Sequence, residues 1–393
     1  MNMKKVVLAV TAVVAVAVLG WMGTCVAGCY VEDQSASKSW PAMLGSLTEV
    51  PKRFPAHPQN AAATKLVQLA AAASVDVKPL APGEKRRTTR TSETDRIFGE
   101  IGKWVTTQIE RPGDPIDAPP ENVARFLENS DAPLTAVRAH LIGGGELQWL
   151  SDVSRGYSSP IPNLLGHMRL ERVLIARALD RARTGNPAAW EELHASWELS
   201  RGLWGRPELI SNMIALASTR MMNAAARKMP APEPPAWFLA TRTFDPLKPL
   251  LAAFQAESWQ MHESKSYEGV PAMSTFMSTL LAPVHRFQVA DAVDQTRDYA
   301  AAVERSGACD VLNVPARLPP NQPHIASVYQ RALRLRVEME ATDHVLALRR
   351  GETPPAKSRC TDGSWTVTPT SVKFSLPIAV VKPALNVPLE YSR

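Results

Sequence analysis

Motifs of the common catalytic and nucleotide-binding classes are missing from these 393 residues. The chain has no P-loop, no G-x-G-x-x-G turn, no H-E-x-x-H zinc motif and no G-x-S-x-G nucleophile motif. Charged residues make up only 21% of the chain, which excludes a strongly charged disordered protein, and the 45% hydrophobic fraction is enough for a core. We therefore expect a folded protein without a metal or cofactor.

The first thirty residues read as an export signal. Two lysines precede an unbroken apolar run over 6–19, which has the length of a signal core and is short for a membrane span. Val26-Ala27-Gly28-Cys29 resembles the lipobox of bacterial lipoprotein signals, where small residues precede the cut and the thiol carries the lipid. We expect residues 1–28 to be a signal peptide and Cys29 to be lipidated. An uncleaved transmembrane anchor over the uncharged residues 6–28, or soluble secretion, are the alternatives.

Cysteine is also scarce, with four residues in the chain. If Cys25 leaves with the signal and Cys29 carries a lipid, Cys309 and Cys360 remain as an even pair in an oxidising compartment. A disulfide between them is the default expectation, and two free buried thiols are the alternative.

Apolar periodicity predicts a mainly α fold of stacked helical hairpins, an irregular α-solenoid or bundle, followed by a small β-hairpin. The expected organisation is a signal or anchor at 1–28, a tether at 29–58, a helical domain at 59–350, and a β-hairpin with a Pro-rich tail at 351–393. The predicted helices are 60–73, 94–109, 121–128, 133–142, 163–184, 187–204, 207–229, 246–262, 271–281, 283–305 and 323–349.

Two stretches echo each other at a spacing of 45 residues, 162–168 and 207–213. This period suits a helix-turn-helix unit, although the chain has no convincing third copy.

Several short motifs resemble those of an uncharacterised family of bacterial envelope proteins of lipoprotein type. They are Pro162–His167, Arg206–Ser211, Phe54–Pro55, Asn60–Ala63 and Cys360–Trp365. The resemblance implies export and a helical fold, and it implies no chemistry.

The strongest candidates for catalytic residues are His167, Glu171 and Arg220. His167 and Glu171 lie four apart on the shoulder of a predicted apolar helix face, so their side chains can touch. Arg220 lies near the centre of another apolar face and needs a partner, for which Glu171 is the leading candidate. A structural ion pair is the favoured interpretation, and a hydrolase with His167 and Glu171 as base and acid is the alternative.

The predicted middle helix carries Trp190, Trp197 and Trp204 at intervals of seven. Core packing is the favoured interpretation, and an aromatic groove for a glycan or peptide is the alternative. Glu191 and His194 have the E-x-x-H spacing of di-iron bundles, but only one clear helical copy exists, so Glu191 is better interpreted as a salt-bridge partner of Arg181.

The net charge of +6 favours anionic lipid or wall polymers as partners, since an exported chain does not meet chromosomal DNA. These inferences together predict a membrane-anchored protein of the bacterial cell envelope, facing the periplasm or exterior. We expect a non-enzymatic scaffold or a binding module for a peptide or cell-wall polymer, with the envelope hydrolase as the alternative.

Overall fold

A computed structural model of the protein describes most of the helical body. The described residues are 11, 14–28, 30–31, 49–79, 92–230, 233–263, 323–359, 363–376 and 385–392. Within those ranges, no helix is both long enough and apolar enough to span a membrane. Cys25 is exposed with a free thiol. The lipidation prediction at Cys29, the disulfide prediction for Cys309 and Cys360, and the predicted helices 271–281 and 283–305 lie outside the described residues.

The prediction of a mainly α fold with a small C-terminal β element is confirmed. The helices after the N-terminal segment are α1 (Glu49–Arg53), α2 (Ala61–Ala72), α3 (Ser92–Ile109), α4 (Glu121–Asn129), α5 (Asp131–Gly143), α6 (Leu164–Arg183), α7 (Ala189–Arg201), α8 (Leu209–Ala226), α9 (Ala236–Thr241), α10 (Leu247–Glu263) and α11 (Pro323–Arg349). Residues 49–58, which the sequence assigns to the tether, contain α1, and Val50 is buried in a small core with Trp259 of α10.

The centre of the molecule is the layer α6–α7–α8. Helix α7 packs on α6, α8 and α5, so it lies between neighbours on more than one side. The turns between these helices are made by Gly185 and Gly205, whose φ angles of 73° and 78° lie in the left-handed region that glycine adopts without strain. The buried apolar side chains of this layer join those of α2–α5 in one continuous core.

The 45-residue echo reappears as matching geometry at the first turns of α6 and α8. His167 and Asn212 are both fully buried, and each donates a side-chain hydrogen bond to the backbone carbonyl four residues earlier, at 3.0 Å and 3.1 Å. Gly166 departs from the echo because a Cβ atom there would lie 1.8 Å from the backbone oxygen of Asp76.

A three-stranded antiparallel sheet in the order β1-β2-β3 follows α11. Strands β1 (Trp365–Thr368) and β2 (Ser371–Phe374) form the predicted hairpin, with Trp365 opposite Phe374. Strand β3 (Glu390–Ser392) was not predicted, because three residues within a Pro-rich tail carry no periodic signal. Tyr391 of β3 is buried with Val337 and Val345 of α11, so the sheet packs on the last helix.

Candidate functional site

Glu171 lies on the face of α6 that contacts α7, where its side chain is buried. Its two carboxyl oxygens are hydrogen-bonded to Ser196 Oγ at 2.5 Å and to Ser200 Oγ at 2.6 Å. Burial raises the pKa of Glu171 to about 8, although both serine hydroxyls act in the opposite direction. Glu171 is therefore mainly a neutral carboxylic acid at pH 7, held between two helices.

His167 is fully buried one turn earlier on α6. Its Nδ1 donates to the carbonyl of Asn163, which leaves the buried Nε2 as an acceptor without a hydrogen-bond partner among the described residues. Its ring meets the indole of Trp149 edge-on, with centroids 4.9 Å apart. Burial lowers the pKa of His167 to about 4, and nearby Arg206 adds to this effect, so the imidazole is neutral at pH 7.

Arg220 on α8 does not pair with Glu171, and that prediction is wrong. Its Nε and one terminal nitrogen donate to the two carboxylate oxygens of Glu338 on α11, at 2.8 Å and 2.6 Å. Glu338 lies 118 residues downstream, so no periodicity within the central helices could have revealed the pair.

The three residues proposed for hydrolysis consequently do not form one site. His167, Glu171 and Arg220 are 0%, 1% and 4% exposed. Each is held by a different group, namely a backbone carbonyl, two serines and a distant glutamate. A general base and acid must reach a substrate, whereas all three side chains are buried among the residues that the structure describes.

The predicted ion pair between Arg181 and Glu191 is wrong in its acidic partner. Arg181 donates to Glu192 at 2.6 Å, while Glu191 lies 3.2 Å from Arg138. Glu192 is fully buried and lies within salt-bridge distance of Arg138, Arg177 and Arg181. The sequence did not distinguish the two neighbouring glutamates, because the choice depends on the position of α5, which supplies Arg138.

The three tryptophans on α7 and the turn after it differ in burial. Trp190 packs edge-on against Phe238, with centroids 5.2 Å apart, and Trp197 packs against Phe244 at 5.4 Å. Trp204 is only partly buried, and its indole N–H donates to Thr219 at 3.2 Å. The first two rings are therefore covered by α9 and the segment after it. Trp204 also packs on Phe244, with centroids 5.1 Å apart, and its remaining surface lines an open cleft.

His194 of the E-x-x-H motif takes part in packing. Its ring stacks on Trp237 at 4.5 Å with an interplanar angle of 4°. The described residues contain no group of three His, Cys, Asp or Glu side chains that could hold a metal ion.

A cluster of buried arginines could not be recognised from the sequence. These arginines bind residues 385–392, and we call residues 385–392 the C-terminal strap. Arg220 donates to the carbonyl of Leu385, Arg334 to that of Val387 and Arg227 to that of Pro388, at 2.9 Å, 2.9 Å and 2.6 Å. The buried Glu338 bonds both Arg220 and Arg334. The one signal in the sequence was the occurrence of arginines on otherwise apolar helix faces.

Sequence reasoning also missed a cleft of about 340 Å³ beside the turn between α7 and α8, which we call the α7–α8 cleft. Three separate segments line it: residues 53–60, 146–151 and 201–207. Its side chains include Arg53, Arg201, Arg206, Trp204 and Glu146. Loop residues brought together by folding build this site, so no single sequence motif marks it.

Neither a known family model, nor a curated protein, nor a solved structure matches this chain. The resemblance to an uncharacterised envelope family therefore depends on the quoted motifs alone.

Proposed function

We propose that this protein is a non-enzymatic binding module of the bacterial cell envelope, tethered to a membrane through its N-terminus. The observation that carries the non-enzymatic part is the burial of His167, Glu171 and Arg220, each of which is hydrogen-bonded to a different group within the fold. Buried polar networks of this kind rigidify a helical core, and they perturb pKa values without any catalysis.

The binding part is supported by the α7–α8 cleft. Small-molecule sites in proteins are concave and about 300–1,000 Å³ in volume, lined by aromatic side chains with a few polar groups. The cleft has a volume of about 340 Å³ and combines Trp204 and Phe54 with three arginines. The hydrolase alternative lacks a comparable observation, since its residues do not open onto this cleft.

The tether is supported by the sequence of the first thirty residues. Nineteen residues lie between Cys29 and Glu49, where α1 begins. A chain of that length spans at most about 70 Å when extended. A lipid on Cys29 would thus keep the start of α1 within that distance of the bilayer, close to headgroups and wall polymers.

Mass spectrometry of the mature N-terminus tests the tether. We expect a chain that begins at a lipid-modified Cys29, accumulation of the precursor in the presence of globomycin, and loss of processing in Cys29→Ser. The matched control is Cys25→Ser, which removes a thiol that cleavage would discard and should be processed normally. An intact Met1 in the mature protein would contradict the lipoprotein assignment.

A further inference from the structure

We propose that the end of the α6–α7–α8 layer at which α6 and α8 begin is a membrane-contact surface. It lies on anionic lipid headgroups through two exposed apolar side chains, Leu165 and Ile210, and two basic ones, Lys52 and Arg53. This inference rests on the proposed tether and names the surface that the tethered protein turns toward the bilayer.

The starts of α6 and α8 lie side by side. The turns at Gly185 and Gly205 reverse the chain twice, so α6 and α8 run in the same direction and begin at the same end of the layer. Trp149 contacts both starts. Its ring meets His167 of α6 edge-on, with centroids 4.9 Å apart, and its backbone carbonyl accepts from Arg206, just before α8, at 3.3 Å. The two first turns therefore belong to one end surface.

Leu165 and Ile210 are the second residues of α6 and α8, at equivalent positions of the 45-residue echo. They are 62% and 52% exposed. Among the described residues from 49 onward, they are two of the four large apolar side chains that are exposed. Because the Cα–Cβ bonds of a helix tilt toward its N-terminus, side chains of the first turn lean past the helix end. The end surface thus carries two apolar projections, which an interface between headgroups and acyl chains can bury.

Basic side chains border the same end. Lys52 and Arg53 are exposed in the last turn of α1. Arg53 lies near the start of α8, because it lines the α7–α8 cleft together with Pro207. Its hydrogen bond to the neutral amide oxygen of Gln255 leaves its positive charge uncompensated. Cations next to apolar projections are the combination that anionic headgroups attract.

Carboxylates at this end offset little of that charge. Glu208 is ion-paired with Arg206 at 2.8 Å. Asp76 lies beside the start of α6 and is half-buried, and Lys78 next to it is exposed. The lining of the α7–α8 cleft contributes one exposed carboxylate, that of Glu146. Exposed cations thus outnumber exposed carboxylates among these residues, which favours a negatively charged partner.

The proposed tether enters the body at this end. Helix α1 is the first helix after the predicted tether, and its Val50 is buried with Trp259, which fixes α1 to the body. A tether raises the effective concentration of the surface at the bilayer, so a small contact is sufficient. A second copy of the chain fits less well, because a symmetric contact would bring Lys52 and Arg53 of one protomer toward those of the other.

Hydroxyl-radical footprinting, which oxidises exposed side chains, tests the proposal. The sample is the purified full chain in phosphatidylglycerol vesicles at low salt, collected by flotation. Leu239 is the internal control, because it is 54% exposed and lies on α9, which packs on Trp190 at the opposite end of the layer. We expect Leu165 to be oxidised at least about fivefold more slowly than Leu239, and Ile210 to be slowed to the same extent relative to phosphatidylcholine vesicles.

Charge reversal and salt test the electrostatic part. Lys52→Glu/Arg53→Glu should bring the rates of Leu165 and Leu239 within about twofold of each other, and so should about 1 M NaCl with the wild type. Arg125→Glu is the control variant, because Arg125 is exposed on α4 and does not line the cleft. Lys52 and Arg53 are exposed, so the double variant should keep the wild-type melting temperature, and the salt comparison tests the same point without any substitution.

Three results would overturn the proposal. They are equal oxidation of Leu165 and Leu239 in phosphatidylglycerol vesicles, protection that persists both in the double variant and at high salt, and protection that depends on the protein-to-lipid ratio, which would indicate a second copy on this surface. Protein that floats without protection of Leu165 contradicts this inference alone. Protein that does not float contradicts the tether as well.

Discussion

Replacing Glu171 by Gln tests whether the buried carboxyl has a structural role. Glutamine has nearly the same shape and is neutral at every pH, as the protonated Glu171 is. Its amide can accept from one serine and donate to the other, so the contacts with Ser196 and Ser200 can persist. We expect Glu171→Gln to fold normally.

The size of the pH effect on the free energy of unfolding follows from the linkage between protonation and folding. The pKa of Glu171 is about 8 in the folded protein, against an ordinary value of 4.5. Between these values the folded state keeps a proton that the unfolded state has lost, so the free energy of unfolding falls as pH rises. The slope is about 1.4 kcal/mol per pH unit, which gives a loss of about 5 kcal/mol over the whole interval and about 2–3 kcal/mol between pH 6 and pH 8.

Urea unfolding of the wild type and of Glu171→Gln at pH 6 and pH 8 measures this difference. The contribution of His167 is common to both proteins and cancels in the comparison. We expect Glu171→Gln to become more stable than the wild type by about 2–3 kcal/mol as the pH is raised from 6 to 8. Glu121→Gln is the matched control, because that side chain is 88% exposed and its substitution should not change the pH dependence.

Parallel pH curves for the wild type and Glu171→Gln would refute the argument, because they would show that Glu171 is ionised in the folded protein. A folded and equally stable Glu171→Gln protein that had lost an identified activity would favour the hydrolase alternative.

Further predictions concern the same buried network. Glu338→Gln should lower the free energy of unfolding by about 3–5 kcal/mol because it leaves buried arginines without their carboxylate. The double variant Arg220→Met/Glu338→Leu should lose less free energy of unfolding than the two single changes combined. Urea unfolding of all the variants measures both effects. His167→Asn, which copies Asn212 of the echo, should keep the fold. It should also remove the part of the acid destabilisation below pH 6.5 that is due to His167. That part arises because the folded pKa of about 4 prevents protonation that the unfolded chain undergoes. Deleting residues 385–392 should cost on the order of 5 kcal/mol, from three lost hydrogen bonds to charged groups plus buried apolar surface, and thermal melting would report it. Unchanged melting after that deletion would contradict the role of the strap.

The helices could be predicted from the sequence because apolar periodicity is a local pattern. The apolar periodicity of 163–184, 187–204 and 207–229 is visible within a few turns of each segment. The structure has helices at Leu164–Arg183, Ala189–Arg201 and Leu209–Ala226. The β1–β2 hairpin was predictable for the same reason, since alternation around a short turn is a local pattern.

Partners of buried charges were not predictable in this way. The sequence showed that Arg220 needed a partner, and it could not show that the partner is Glu338 on a helix more than one hundred residues away. The α7–α8 cleft is likewise assembled from three distant segments, each unremarkable alone. Tertiary packing determines these contacts, and local patterns in a single sequence do not show which distant segments meet.

The C-terminal strap has a consequence for the order in which the helices pack. Arg220, Arg227 and Arg334 obtain carbonyl acceptors from residues 385–388. Until those residues dock, the layer formed by α8 and α11 holds buried cations that lack these acceptors, so it cannot close in its final form. The two helices therefore reach their final packing only together with a segment that follows both of them in the chain.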